Sequence, residues 1–381
     1  MNKKLVAAAL GLAFAAPVFA DSSNVTLYGR IHQTLDHQSG ETRTGGVTNQ
    51  AGGSFVVEDA SSRLGVRGVE DLGGGLSAIF AYEFGVTTDD LSDNTVDANG
   101  VANGPMTTRH AYLGLKGAYG LFVVGSQDGG NDSQAPLYNQ ASLIGSVSNN
   151  GGPLTTVGGG TAITSNTWAI QRQQRVGNSF GYAGNFGGVQ INARHSMQGD
   201  NDQSNNAGAL VKENDFRATE IAATYKVGNL TVGGGFANFD QQELNNPLGV
   251  TDIERTIQGV ATYNFGSFTV AGLVAQNSYE AQNAANGEDS GIEYALSATM
   301  PLTANSGLFG MYANSERYDL VNEARENTQA QIAYYYDFSK RTRTYVGFNR
   351  VESEVEASTT AGNVGNKTER DNFTIGLRHN F

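Results

Sequence analysis

The sequence predicts an all-β chain rolled into a sixteen-stranded antiparallel transmembrane β-barrel. Three observations lead there: strict period-two alternation of apolar and polar residues, a regular interchange of short and long connections, and an export signal followed by no apolar run long enough to span a bilayer as a helix.

The amino terminus supplies the first element. Lys3 and Lys4 precede an apolar run from Leu5 to Ala16, and small residues surround Ala20, so residues 1–20 are expected to be a secretory signal removed after Ala20. The remainder, 21–381, is expected to form a single barrel domain. No later stretch approaches the roughly 18 apolar residues that a spanning helix needs. A membrane-embedded form of this chain therefore crosses with strands.

Composition narrows the class further. The chain has no cysteine, so no disulfide staples it in an oxidising compartment. Its 37 acidic residues against 24 basic ones give a net charge of −13, which argues against nucleic acid as a partner. Fifty glycines and only six prolines suit many strands and tight turns, and the prolines after the signal fall between periodic runs or at the end of one.

The first strand, from Asn24 to about Asp36, sets Leu27, Ile31 and Leu35 on one side and Tyr28, Arg30, His32 and Thr34 on the other. A glycine-rich loop is expected over 40–53. A hairpin follows, with a turn at 71–75 and a return strand reaching about residue 87. Further short turns are expected near 117–120, 184–188, 228–229, 266–267, 303–307 and 339–342. Long polar connections are expected near 89–105, 129–172, 199–215, 241–252, 281–291, 319–327 and 354–370. Short turns on one end and longer loops on the other, with an even strand count, are what an outer-membrane barrel requires. A soluble sandwich has no reason to segregate its loops by length in this way.

Parity assigns the lumen. Arg63 and Arg67 alternate with Leu64 and Val66, and Glu83 sits between Tyr82 and Phe84, so these charges face the side that Arg30 faces. Lys116, Arg175 and Arg194 share that inward parity. The closing strand alternates Phe373, Ile375 and Leu377 with Asn372, Thr374 and Arg378 and ends on Phe381. Its apolar side is expected to meet lipid and its polar side water. Phe186, Phe265, Phe338 and Phe381 are expected to form an interfacial aromatic belt beside the short turns. A sixteen-stranded lumen is too wide for side chains to fill, so conduction is the default role.

Catalysis finds no support: His32, His37, His110, His195 and His379 show no triad order and no metal-ligand spacing. No cofactor is expected.

Several stretches together resemble the general diffusion porins of Gram-negative outer membranes. They are Val25-Thr-Leu-Tyr-Gly-Arg30, the run from Ser62 through Arg63, Arg67, Glu70 and Asp71 to Leu76, Ala111-Tyr-Leu-Gly-Leu115, Tyr336-Asp-Phe-Ser-Lys-Arg-Thr342 and Gly376-Leu-Arg-His-Asn-Phe381. The resemblance implies an outer-membrane homotrimer, in contact with membrane lipid and lipopolysaccharide, that passes small hydrophilic solutes and ions. It also implies an inward-folded constriction loop, here residues 129–172, facing a basic wall. Arg30, Arg63 and Arg67 match that wall. Glu83, Asp128 and Asp132 are the candidates for the acidic side. Similar proteins often carry arginine where this chain has Ser126, and acidic residues crowd the expected outer loops, so a neutral to mildly cation-preferring pore is expected. A substrate-selective pore for sugars or dicarboxylates is the alternative, and it would need a ladder of inward aromatics; Tyr28, Tyr112 and Tyr335 have that parity.

Overall fold

A computed structural model describes residues 24–44, 47–88, 106–127, 137, 176–197, 202–204, 210–212, 216–241, 253–279, 289–318, 324–355 and 365–381. The expected signal, 1–20, lies outside them.

Sixteen staves form the barrel. The first half comprises β1 (Asn24–Thr44), β2 in two segments (Val47–Asp59 and Arg63–Gly73), β3 (Leu76–Val86), β4 (Met106–Gly117), β5 (Gly120–Gln127), β6 (Val176–Phe186), β7 (Val189–Met197) and β8 (Phe216–Val227). The second half comprises β9 (Leu230–Gln241), β10 (Ile253–Asn264), β11 (Thr269–Tyr279), β12 (Asp289–Thr303), β13 (Ser306–Tyr318), β14 (Ala324–Asp337), β15 (Thr342–Val355) and β16 (Asn366–Asn380). Each stave pairs antiparallel with its sequence neighbours, and β16 returns to β1 over Arg30↔Asn380 to Thr44↔Asn366. Gly29 and Phe381 complete this seam by exchanging both backbone hydrogen bonds at 3.1 Å. Closure leaves the sheet without an open edge through the barrel.

The alternation read from the sequence is the alternation of the wall. Phe373 and Ile375 are 46 % and 48 % exposed on the outside, whereas Thr374 between them is fully buried on the inside. Val25, Leu27, Ile31 and Leu35 are likewise exposed, and His32, Thr34 and Asp36 are buried. An apolar outer surface this extensive is stable only against lipid. Phe186, Phe265, Phe338 and Phe381 project outward beside the short turns, with Tyr263 packed on Phe265 and Tyr336 on Phe338 at centroid distances of 4.6 and 5.2 Å.

Small residues let aromatic rings lie flat on the wall. A Cβ on Gly376 would stand 2.1 Å from the Tyr345 ring, and one on Gly29 would stand 2.3 Å from the Phe381 ring. Only glycine accommodates either contact.

Several expected loops are shorter than predicted. The glycine-rich region 40–53 is not a loop but the outer part of a hairpin, in which β1 runs on to Thr44 and pairs with Val47–Asp59. Similarly, β13 and β14 extend to Tyr318 and from Ala324, and β15 and β16 extend to Val355 and from Asn366. A membrane crossing takes only about 9–11 residues, so these extensions stand beyond the bilayer. There both faces meet water, alternation is not required, and a strand has the composition of a loop.

The outer hairpin bends where β2 breaks. Ser61 adopts a φ of 73°, and the Asp59 carboxylate accepts the N–H groups of Ser61 and Ser62 at 3.1 and 3.0 Å. Thr88 donates its hydroxyl to the same carboxylate at 2.7 Å. Below the break, β2 pairs with β3 from Arg63↔Gly85 onward.

Candidate functional site

Six staves, β15, β16 and β1 to β4, build one wall of the lumen from arginines. Arg30 on β1 is directly opposite Arg63 on β2, and like charges in that position oppose sheet pairing by up to about 1 kcal/mol. The chain tolerates this because a carboxylate lies within reach. Glu83 on β3 accepts from Arg109 Nε at 2.7 Å, lies 3.6 Å from Arg63 Nη1, and has His110 Nε2 at 4.0 Å. Arg30 donates from Nε to Asn380 Oδ1 at 3.0 Å, and its charged neighbours include Arg63, Arg378, Arg109 and Glu83.

A β-bulge brings in Arg109. The β3–β4 ladder steps from Glu83↔His110 to Phe84↔Thr108, which leaves Arg109 as an extra residue. Both Arg109 and His110 are then buried beside Glu83. Simple alternation from Leu113 and Leu115 would have turned Arg109 toward lipid. That is why the sequence reading did not count it. The observable signal was the energetic one, an arginine on the lipid-facing parity.

Two further arginines rest on aromatic rings. The Arg67 guanidinium lies 5.0 Å from the Tyr28 centroid, and that of Arg343 lies 4.2 Å from the Tyr335 centroid. Arg343 is also held by Asp337 through bonds of 2.7 and 2.9 Å. Higher on the same wall, Asp36 accepts from the hydroxyls of Thr34 and Thr374, and His32 Nε2 meets the Tyr345 hydroxyl at 3.0 Å.

The sequence-derived residues therefore occupy one region. Arg30, Arg63 and Arg67 share the wall, and Glu83 stands among them rather than across the lumen. Asp128 and Asp132, the other candidates for an acidic side, lie outside the described residues, as does Arg175 and all of 129–172 except Leu137. Lys116 is exposed near a short turn. Arg194 is inward but removed from this cluster, buried in an ion pair with Glu220 of β8. Ser126 pairs with Ala111, and the ladder gives both the outward parity, so serine there subtracts nothing from the arginine wall.

The facing wall, β10 to β14, is neutral over much of its height. Val260, Leu273, Phe309 and Met311 point inward and are at most 5 % exposed. Gln329 lies level with Val260 and Leu273 across the ladder, and Gln258 and Asn277 stand above them. Leu137 is 1 % exposed, and its backbone carbonyl accepts from Gln258 Nε2 at 3.1 Å.

A closed sixteen-stranded barrel with a greasy exterior and an arginine-lined interior defines an outer-membrane channel. Comparison gives the family: the profile described as Gram-negative porin matches residues 6–356, and the chain belongs to that family. It is 26 % identical over 404 residues to outer membrane porin protein 32 of Delftia acidovorans, with both chains covered in full. It is 24 % identical over 388 residues to major outer membrane protein P.IB of Neisseria gonorrhoeae, again over the whole of both. Among solved structures it resembles an anion-selective porin from Comamonas acidovorans, with a TM-score of 0.63 and 21 % identity over 94 % of this chain and 100 % of that one. The trimer form of OmpT from Vibrio cholerae gives a TM-score of 0.62 and 15 % identity over 95 % and 100 %. The protein is thus a water-filled channel of the Gram-negative outer membrane for passive diffusion of small hydrophilic solutes and ions. Its family is one of channels rather than enzymes.

Proposed function

We propose that selection in this channel occurs at the arginine wall and that the pore prefers anions. The observation that carries this is the grouping of Arg30, Arg63, Arg109 and Arg378 on one wall, where Glu83 pairs with Arg109 and Arg63 and Asp337 lies beside Arg378. Charge at a narrow aqueous passage raises the local concentration of counter-ions and sets the sign of the current carriers. This replaces the mildly cation-preferring expectation, which counted neither Arg109 nor Arg378. The anion-selective character stated for the Comamonas acidovorans structure is consistent with it.

The same reading has residues 129–172 folding inward to narrow the passage, supported by the burial of Leu137 and its bond to Gln258. Asp128 and Asp132, at the root of that segment, would then supply the acidic side. We also propose removal of residues 1–20 on export, assembly as a homotrimer, and contact of the outer rim with lipid and lipopolysaccharide. The arginines seated on Tyr28 and Tyr335 cover the inward rings that a sugar-selective ladder would need to leave open.

Reversal potentials in a KCl gradient across a planar bilayer test the central claim. The expected sign corresponds to chloride permeating faster than potassium. A cation preference overturns it.

A further inference from the structure

Tyrosine, glycine and arginine recur together along the charged side of the lumen. Tyr28 lies directly opposite Gly65, Tyr335 opposite Gly307 and Tyr345 opposite Gly376. Each ring lies over its glycine so closely that an added Cβ would stand 2.6, 2.5 or 2.1 Å from it. Two of these flattened rings have a guanidinium on them, Arg67 on Tyr28 and Arg343 on Tyr335. A long side chain seated in this way gives up its rotamer freedom during folding, so little is left to lose on meeting a ligand.

Arg343 is held on two sides. Asp337 accepts from its Nε and Nη2 at 2.7 and 2.9 Å, and the Tyr335 ring lies beneath with its centroid 4.2 Å away, so the plane of the guanidinium is fixed. Directly opposite stands Arg378, a half-buried residue of β16 whose Nε has no acceptor among the described residues. Like charges in that position oppose pairing. Two guanidinium groups share the neighbourhood of one carboxylate, both of whose oxygens Arg343 already engages, so positive charge is in excess between β15 and β16.

We propose that Arg343 and Arg378 form an oxyanion-binding site, beside the cluster of Arg30, Arg63 and Arg109, for small solutes that carry a carboxylate or phosphate group. A guanidinium offers parallel N–H groups that match two oxygens of one anion, a fit that chloride cannot reproduce. Arg30 is the diagonal neighbour of Arg378 across the seam, since His32 faces Arg378 and Asn380 faces Arg30. An oxyanion leaving the site therefore meets the next guanidinium directly. On this inference, which rests on the anion-preferring reading above, oxyanions are held in transit while chloride passes unheld.

Succinate and inorganic phosphate, each added at rising concentration to a fixed KCl solution, would be followed through the single-channel chloride current. The wild-type current is expected to fall saturably with at least one of them. Block by succinate alone marks a carboxylate site, and block by phosphate alone a phosphate site. Arg378→Gln is expected to raise the half-blocking concentration about tenfold, through loss of a charged donor. Asp337→Asn, which releases the edge of Arg343 for the ligand, is expected to lower it severalfold. A purely structural role would not move the two variants in opposite directions. Unsaturable passage of both probes through a wild-type channel that prefers chloride overturns the site and leaves the anion preference standing, whereas a cation-preferring wild type removes both. A half-blocking concentration unchanged in folded Arg378→Gln but raised by Arg30→Ala assigns the block to the cluster and overturns the site. If Arg378→Gln does not fold, Asp337→Asn decides: block no tighter than in the wild type overturns it.

Discussion

The two sides of the lumen solve the same problem in opposite ways. Each must present an inner face to the hollow of a barrel whose outer face is apolar. The wall of β15, β16 and β1 to β4 does so with guanidinium groups, held apart by the carboxylates of Glu83 and Asp337 and by aromatic rings. The wall of β10 to β14 uses mainly carboxamides and alkyl groups, with the buried Glu293 among them. The contrast separates stability from selectivity: a change on the neutral side should alter folding without altering ion preference, while a change on the charged side should alter both.

The largest effect is expected for Met311→Asp. An unpaired carboxylate on the dry row should cost at least about 3 kcal/mol and reduce the heat-resistant folded fraction on gels. Any protein that does fold should keep its anion preference. Glu83→Gln is the counterpart, expected to destabilise by about 1–3 kcal/mol through loss of the charged acceptor for Arg109 and Arg63. It should also increase the chloride-to-potassium permeability ratio, and an unchanged ratio would show that Glu83 is remote from the ion path. Gly376→Ala, which forces the Tyr345 ring from its place, should cost about 1–3 kcal/mol in guanidinium titrations.

Arg30→Ala is expected to act chiefly on selectivity, with a smaller loss of stability from its bond to Asn380. The permeability ratio should fall severalfold toward unity, and identical conductance and selectivity would exclude Arg30 from the passage. For the unmodified channel the ratio should itself decline between 0.1 and 1 M salt, as the screening length shortens from about 10 to 3 Å. Lys367→Ala belongs to neither wall. It removes an exposed rim bridge to Glu369 and Glu352 and should change stability by no more than about 0.5 kcal/mol.

The barrel was legible because lipid enforces alternation. Wherever a strand crosses the bilayer, as from Asn372 to Leu377, every second side chain must be apolar, and the pattern names both faces. Where the strand rises into water the constraint lapses, and residues 40–53 could not be told from a loop. The site was legible in part for the same reason. Arg30, Arg63, Arg67 and Glu83 all obey the parity of their strands, so their common side followed from counting. Arg109 does not, because a single inserted residue shifts the count. Arg378 had the correct parity but only acquires meaning when β16 meets β1, a contact between chain ends that local patterning does not encode. The neutral wall was missed altogether, since alanines and amides on inward parity look like ordinary filling until their neighbours across five staves are known.

The seam between Gly29 and Phe381 has one more consequence. Closure joins the first stave to the sixteenth, so until both are in place the exported chain has two bare strand edges. Its acidity and its scarcity of long apolar runs fit that interval: they keep an unfinished sheet apart from its copies until the ring can shut.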